Sequence, residues 1–447
     1  TPLEDPLGPQ RVGRFGWKAQ VATVLTFSGD ASLNEMGLTN RLVTTENAPN
    51  GNAVALAACD TVLDPEDQPD AQGVEFIDRV TDFQRFLAGP PQTPKSGMSG
   101  EAIFNAIGCA ACHVSSFTTG NSVGLEAAIA GKLIKPYSDF LLHDVGINAE
   151  FIVQGAGGLQ EIRTPALWGI RVRDPMWHDG RVAGGTFHDR IAGASGAIAL
   201  HGGAGSEAQA SAAAFAALTA ADKDKLVAFL NSLGRAEFDD NGDNLINYVD
   251  LAAFLAAQGA TGVTPDDANA VHDIDQNGVI DSADFASLAQ AFDVDANLNG
   301  TSDLTDIISG VSFDANQNWI PDETEFCQTS LGFAGPGSMI MSVCGDHLDS
   351  PAKRASFLVT GARPGETVFV VLSMFANPRT LPGGGTFVPA SPLFYIDTTL
   401  VADGTGRVHV PIDGSSIVFG VYVQSAQVAP PAFTIELSNT VFVQFGF

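Results

Sequence analysis

Apolar positions along this chain change period twice. From about residue 326 onward they alternate with polar ones in short runs: Ser356-Phe357-Leu358-Val359, Thr367-Val368-Phe369-Val370-Val371-Leu372, Leu393-Phe394-Tyr395-Ile396, Arg407-Val408-His409-Val410, Ile417-Val418-Phe419, Val421-Tyr422-Val423 and Thr440-Val441-Phe442-Val443-Gln444-Phe445. Period two between Gly, Pro and Asp turns predicts a β-sandwich of immunoglobulin-like architecture. Earlier, Thr219-Ala220-Ala221-Asp222 leads into Leu226, Val227, Phe229, Leu230 and Leu233 before Gly234, the pattern of a capped amphipathic helix. Residues 1 to about 100 are irregular, with one helix expected from Phe76 to Phe86. Short apolar helices, Leu251 to Leu255 and Phe285 to Phe292, follow acidic loops in the middle segment. Three domains are therefore expected, at 1–236, 237–326 and 327–447.

The chemistry concentrates at Cys109-Ala110-Ala111-Cys112-His113. Two thiols three positions apart and an adjoining histidine suit a c-type haem: the thiols add across the vinyl groups and the imidazole ligates the iron. A thioredoxin-type redox pair would need a βαβ context, and a zinc site a second cysteine pair; neither pattern is present. One covalent haem c is the expected cofactor, in a mainly α, cytochrome c-like domain ending near residue 236.

Around the motif lie Ile103-Phe104-Asn105-Ala106-Ile107-Gly108, Pro136-Tyr137-Ser138-Asp139-Phe140-Leu141-Leu142-His143-Asp144-Val145-Gly146, Arg163-Thr164-Pro165-Ala166-Leu167-Trp168-Gly169-Ile170-Arg171 and His178-Asp179-Gly180-Arg181. With Gly13-Arg14-Phe15-Gly16-Trp17-Lys18-Ala19 and Asn34-Glu35-Met36-Gly37-Leu38-Thr39-Asn40, they resemble the di-haem oxidoreductase family over about residues 10 to 235. That family is similar to bacterial di-haem cytochrome c peroxidases. Members carry two haem-binding halves, the first preceding the Gly-Arg-Phe-Gly-Trp-Lys segment, so this chain looks like the second half. The resemblance implies that its haem passes electrons while the other half meets peroxide. It also implies a periplasmic or extracellular location, in keeping with Thr1 as the start of a mature form.

For the distal side of the iron, the resemblance points to His201 of His201-Gly202-Gly203. The spacing from His178 is longer than in the family, which leaves Met176, His188, Met98 and an open position as alternatives. Arg163 and Arg181 suit a haem propionate or a surface ion pair. Trp168 and Trp177 suit packing on the porphyrin, and His178 and His143 a hydrogen bond to backbone or propionate.

Five cysteines less two leave Cys59, Cys327 and Cys344. In an oxidising compartment Cys327 and Cys344 are expected to form a disulfide, and Cys59 to be a buried thiol or to pair with another chain. A net charge of −29, from 22 basic and 51 acidic residues, argues against nucleic acid and for calcium or cationic partners. No apolar run is long enough to span a membrane by helix.

The acidic segment repeats a calcium-loop spacing of the dockerin kind. The four loops offer Asp239, Asn241, Asp243, Asn247 and Asp250; Asp273, Asp275, Asn277, Asp281 and Asp284; Asp295, Asn297, Asn299, Asp303 and Asp306; and Asp314, Asn316, Asn318, Asp322 and Glu325. Two to four Ca2+ ions, or a solvated acidic linker, fit this pattern. The function expected is that of a single-haem electron carrier within a larger haem assembly. Its partner would be another haem protein or copies of itself, with a cell-surface or cohesin-like protein also possible. The alternative is an enzyme, the second half of a di-haem peroxidase or thiol oxidoreductase whose first half is a separate or cleaved chain.

Overall fold

A computed structural model describes residues 1–391, 395–430 and 434–446. The chain forms two compact units: Thr1–Asn244 with Ala253–Asp281, and Leu245–Ala252 with Ser282–Phe447. Leu393 and Phe394 lie outside the described residues.

In the first unit, helix Val24–Met36 begins where the Thr23 hydroxyl accepts the Thr26 N–H at 3.2 Å and ends at Gly37, whose φ is 72°. It runs beside helix Phe76–Phe86, the two joined by a 3.1 Å hydrogen bond from the Thr81 hydroxyl to that of Ser28. Helix Ser99–Ala106 crosses helix Ala220–Ser232 at Gly100, which is buried. A Cβ there would stand 2.0 Å from the Lys225 carbonyl oxygen, so only glycine lets the two backbones approach this closely. Phe104, Tyr137 and Phe229 interlock beneath the crossing, with ring centroids 5.4–6.2 Å apart.

The mainly α, cytochrome c-like architecture expected from the sequence is overturned. Only 26% of the chain is helical and 21% is strand, with several antiparallel sheets in its carboxy-terminal half. Even the first unit has helices of at most 13 residues, separated by long irregular stretches and by the small pairings of Phe117–Thr118 with Leu133–Ile134 and of Leu142–Asp144 with Glu161–Arg163. The physical reason is composition: 48 glycines and 24 prolines break continuous helix and favour a chain that wraps rather than bundles.

Among the described residues the second unit holds a two-stranded pairing of Ala376–Thr380 with Thr386–Pro389 and two larger antiparallel sheets. One has the order Tyr395–Val401, Thr367–Ser373, Phe419–Ala429, Thr434–Phe445, Thr329–Gly332; the other runs Val408–Asp413, Arg354–Thr360, Ile340–Gly345, Phe326–Cys327. Alternate residues of both, among them Val343, Phe357, Val359, Val370, Val423 and Val441, meet in one core. Cys327 and Cys344 pair across adjacent strands as a disulfide. Cys59 is exposed at the end of helix Ala53–Cys59, which corrects the expectation of a buried thiol: that helix presents no buried face. Among the described residues no helix is long and apolar enough to cross a membrane.

Replacing Gly100 by alanine should lower stability by about 1–3 kcal/mol, the usual cost of forcing a methyl group into a closed contact. Thermal unfolding followed by circular dichroism would read this as a lower Tm.

Candidate haem site

Helix Ser99–Ala106 delivers the cysteine motif. Gly108, with φ of 89°, turns the chain into a single tight turn at Cys109–Ala111, and the His113 N–H closes it by donating to the Cys109 carbonyl at 3.0 Å. Cys109, Cys112 and His113 thereby share one wall of a cavity enclosing about 1520 Å³ of empty space, its open mouth included. Both thiols are free. Burial pushes the Cys109 thiol up to about 11. Cys112 is raised by burial, and then by the nearby carboxylates of Asp139 and Glu207.

His201 stands on the facing wall, just after the one-turn helix Ala197–Leu200. Its ring centroid is 6.5 Å from that of His113, with the planes 60° apart. A metal–imidazole bond of about 2 Å places a ring centre about 3 Å from the metal, so two axial imidazoles should stand about 6 Å apart. The backbone reinforces the match. Nδ1 of His113 is 2.8 Å from the Tyr137 carbonyl oxygen, and Nδ1 of His201 is 2.7 Å from that of Ala197. Each ring thus donates through Nδ1 and keeps Nε2 as the free lone pair, the usual arrangement of a metal-binding histidine. Tyr137 adopts φ of 49°, which aims its carbonyl at His113 while its ring stays in the core. Burial, and next the neighbouring His201, hold His113 down to about 4, and burial also lowers His201. Both rings are therefore neutral and ligand-competent near pH 7.

Of the other distal candidates, only Met176 shares the cavity. Met176 is buried and lines the cavity. His188 is exposed, with Nε2 3.2 Å from Asp224, and Met98 packs in the core outside the lining. Trp177 makes an edge contact with His201 at 4.9 Å and donates its Nε1–H to the Asn148 carbonyl at 3.2 Å. Asn148 also donates to the Leu200 carbonyl at 2.6 Å, so it steadies the turn that carries His201. Trp168 lies against Gly89, and exposed Arg181 pairs with Asp179; neither lines the cavity. Arg163 and His178 do line it. Nothing along the chain marks the Tyr137 and Ala197 carbonyls as supports, because main-chain acceptors carry no residue signature, and Asn148 lies 52 residues from the carbonyl that its side chain holds.

The acidic loops share one backbone trace. Positive φ occurs at the fourth and sixth positions of each: Gly242 and Asn244, Gln276 and Gly278, Leu298 and Gly300, Gln317 and Trp319. The first carboxylate folds over the turn and accepts N–H groups from it, as Asp273 does from Asn277 and Gly278, Asp295 from Asn299 and Gly300, and Asp314 from Asn318 and Trp319. Asp239 accepts from Gly242 and Asn244 but also forms a buried ion pair with Arg171 at 3.1 Å. In the third loop Asn297, Asn299 and Thr301 all turn toward Asp306, while Asp303 accepts from the Tyr248 hydroxyl at 2.6 Å. In the fourth, Asn316 and Asn318 gather at Glu325, whereas Asp322 faces the Ser356 hydroxyl.

Two thiols and two opposed imidazoles about an apolar cavity fit a covalently attached haem with a histidine on either face. The family model described as "Di-haem oxidoreductase, putative peroxidase" matches residues 3–233, and the chain belongs to that family. No curated protein matches the chain.

His143 tests the electrostatics of the cavity rim. Burial disfavours its charged form, but the Glu207 and Asp139 carboxylates at 2.8 and 2.9 Å outweigh that and raise its pKa above 6.5. The contribution to stability is thus fully present below pH 6.5 and is lost as pH rises through the raised folded value. His143→Gln should lower Tm at about pH 5.5 and have a much smaller effect at about pH 9. Equal losses at both values would show that the ring acts by packing alone.

Proposed function

We propose that this chain is the electron-delivering, bis-histidyl haem part of a di-haem oxidoreductase that reduces peroxide or oxidises thiols. The observation that carries the reading is the 6.5 Å opposition of His113 and His201 beside the Cys109–Cys112 pair. When bound, the haem supplies reversible one-electron chemistry. Cys109 and Cys112 would anchor it, His113 and His201 would ligate it from its two sides, and the apolar lining would exclude water. A closed iron suits electron delivery better than attack on substrate, which belongs to a second haem on a partner protein or another copy of the chain. The family supports an oxidoreductase more strongly than a free-standing carrier. A periplasmic or extracellular location suits covalent haem and the Cys327–Cys344 disulfide.

Haem staining on a denaturing gel should show one haem per chain, lost in the Cys109→Ala, Cys112→Ala double variant. The ferric protein should be low-spin, and His201→Ala should convert it to a high-spin form that binds peroxide. A wild-type protein that is high-spin and turns over peroxide by itself would overturn the electron-delivering assignment.

The shared trace of the four acidic loops supports Ca2+ as a structural ion. Positive φ at non-glycine residues such as Leu298, Gln317 and Trp319 costs on the order of 1 kcal/mol each, a cost that ligand binding can offset. Chelation should raise protease sensitivity across residues 239–325 and leave the haem spectrum unchanged. The same digestion pattern with and without chelator would exclude the ion.

A further inference from the structure

A second chemical feature of the haem cavity lies in its cationic lining. Arg163, on strand Glu161–Arg163, donates through one terminal nitrogen to the Arg14 carbonyl at 2.6 Å, while its Nε is buried without a hydrogen-bond partner. Arg173, itself exposed, also lines the cavity, and burial together with this second guanidinium makes Arg163 a less comfortable cation than usual. Among the described residues no carboxylate pairs with either guanidinium. His178, whose side chain is 5% exposed, adds two ring nitrogens with no hydrogen-bond partner. Its Nε2 is 3.0 Å from a Glu150 oxygen, but out of line for a hydrogen bond.

Behind this wall, Lys18 is buried, with Nζ 2.7 Å from Glu150 and donating to the Gly158 and Glu161 carbonyls. Lys18 therefore neutralises Glu150, which leaves little negative charge for His178 or the arginines. The acids in the lining are already engaged. Asp144 accepts the Gly146 N–H at 2.7 Å, and Glu207 accepts from the Asp144 N–H at 3.1 Å and is held by His143. In a protein of net charge −29, the partly buried Arg163 with its unpartnered Nε and the unsatisfied His178 imidazole, facing one cavity that the exposed Arg173 also lines, call for an anion.

We propose that Arg163, Arg173 and His178 form the carboxylate-binding site of the cavity and take the two propionate groups of the haem, with the Lys18–Glu150 pair beside His178. The inference rests on the haem reading above. The cysteines hold the vinyl edge covalently, and the propionates carry two negative charges that match the two guanidiniums, with a guanidinium fork suited to a carboxylate. His178 then supplies a neutral N–H donor.

The test uses the haem-loaded full chain and the variants Arg163→Gln, Arg163→Lys and His178→Asn. Two readouts are taken: the midpoint potential by mediated redox titration, and the propionate bending band in resonance Raman spectra. Arg163→Gln should keep covalent haem and a low-spin spectrum, lower the potential because a cation beside the porphyrin is gone, and shift the propionate band. Arg163→Lys should restore most of the potential. His178→Asn should move the band with little change in potential, and it keeps the test open if Arg163→Gln does not fold. Loaded variants whose potential and band both equal the wild type would overturn this site while leaving the haem reading intact. A wild-type chain that takes up no covalent haem would overturn both.

Discussion

The proposed haem site rests on one constraint in the first unit: the His113 and His201 imidazoles face each other with ring centroids 6.5 Å apart. His113 depends on a tight turn after Gly108 and on a Tyr137 backbone held at positive φ, and His201 depends on a single helical turn steadied by Asn148 and Trp177. Neither support is strong alone. They are made rigid by the Gly100 crossing and the Phe104, Tyr137, Phe229 cluster, which set the wall carrying the cysteines. Close packing of this kind transmits small shifts instead of absorbing them, so substitutions remote from the cavity can alter the axial geometry.

Legibility in the sequence followed the range of the interactions. The cysteine motif was readable because its chemistry is local, five residues doing one job. His201 came from resemblance, and only three-dimensional placement separated it from His188, which is exposed, and Met98, which is spent in the core. Trp168 and Arg181 looked as suitable as Arg163 by residue type; where their side chains point could not be read from the chain. The error about architecture had a different source. A haem motif suggested a helical bundle, but glycine and proline in such numbers favour turns, and the cavity is enclosed by irregular segments as much as by helices. Cys59 failed similarly: the general tendency of free cysteine to be buried gives way when its helix has no buried face.

The acidic repeats show what spacing can and cannot reveal. Asp or Asn at alternate positions folds back onto its own turn, so the loop backbone is encoded within six residues and recurs four times. The use of the ninth position is not local. Asp303 turns to the Tyr248 hydroxyl, and Asp322 turns to Ser356, on a strand 34 residues away. Burial pushes the Asp322 carboxyl up to about 7, a sign that it faces the protein interior. Equivalent letters in a repeat therefore serve different ends, some as potential ligands and some as anchors to neighbouring structure.

The distribution of arginines joins these themes. Between residues 163 and 190 the chain places Arg163, Arg171, Arg173, Arg181 and Arg190. Arg171 closes on Asp239, Arg181 on Asp179 and Arg190 on Asp174. With acidic residues outnumbering basic ones more than twofold, any guanidinium could find a carboxylate at little cost. Arg163 and Arg173 face the cavity instead. A buried cation without a counterion is expensive, and the cavity wall keeps one in Arg163, whose Nε is buried without a partner, beside the exposed Arg173. In the proposed haem reading, the imidazole pair would set where the iron sits and the cationic wall which edge of the porphyrin faces it, so that the two together would orient the cofactor for attachment to Cys109 and Cys112.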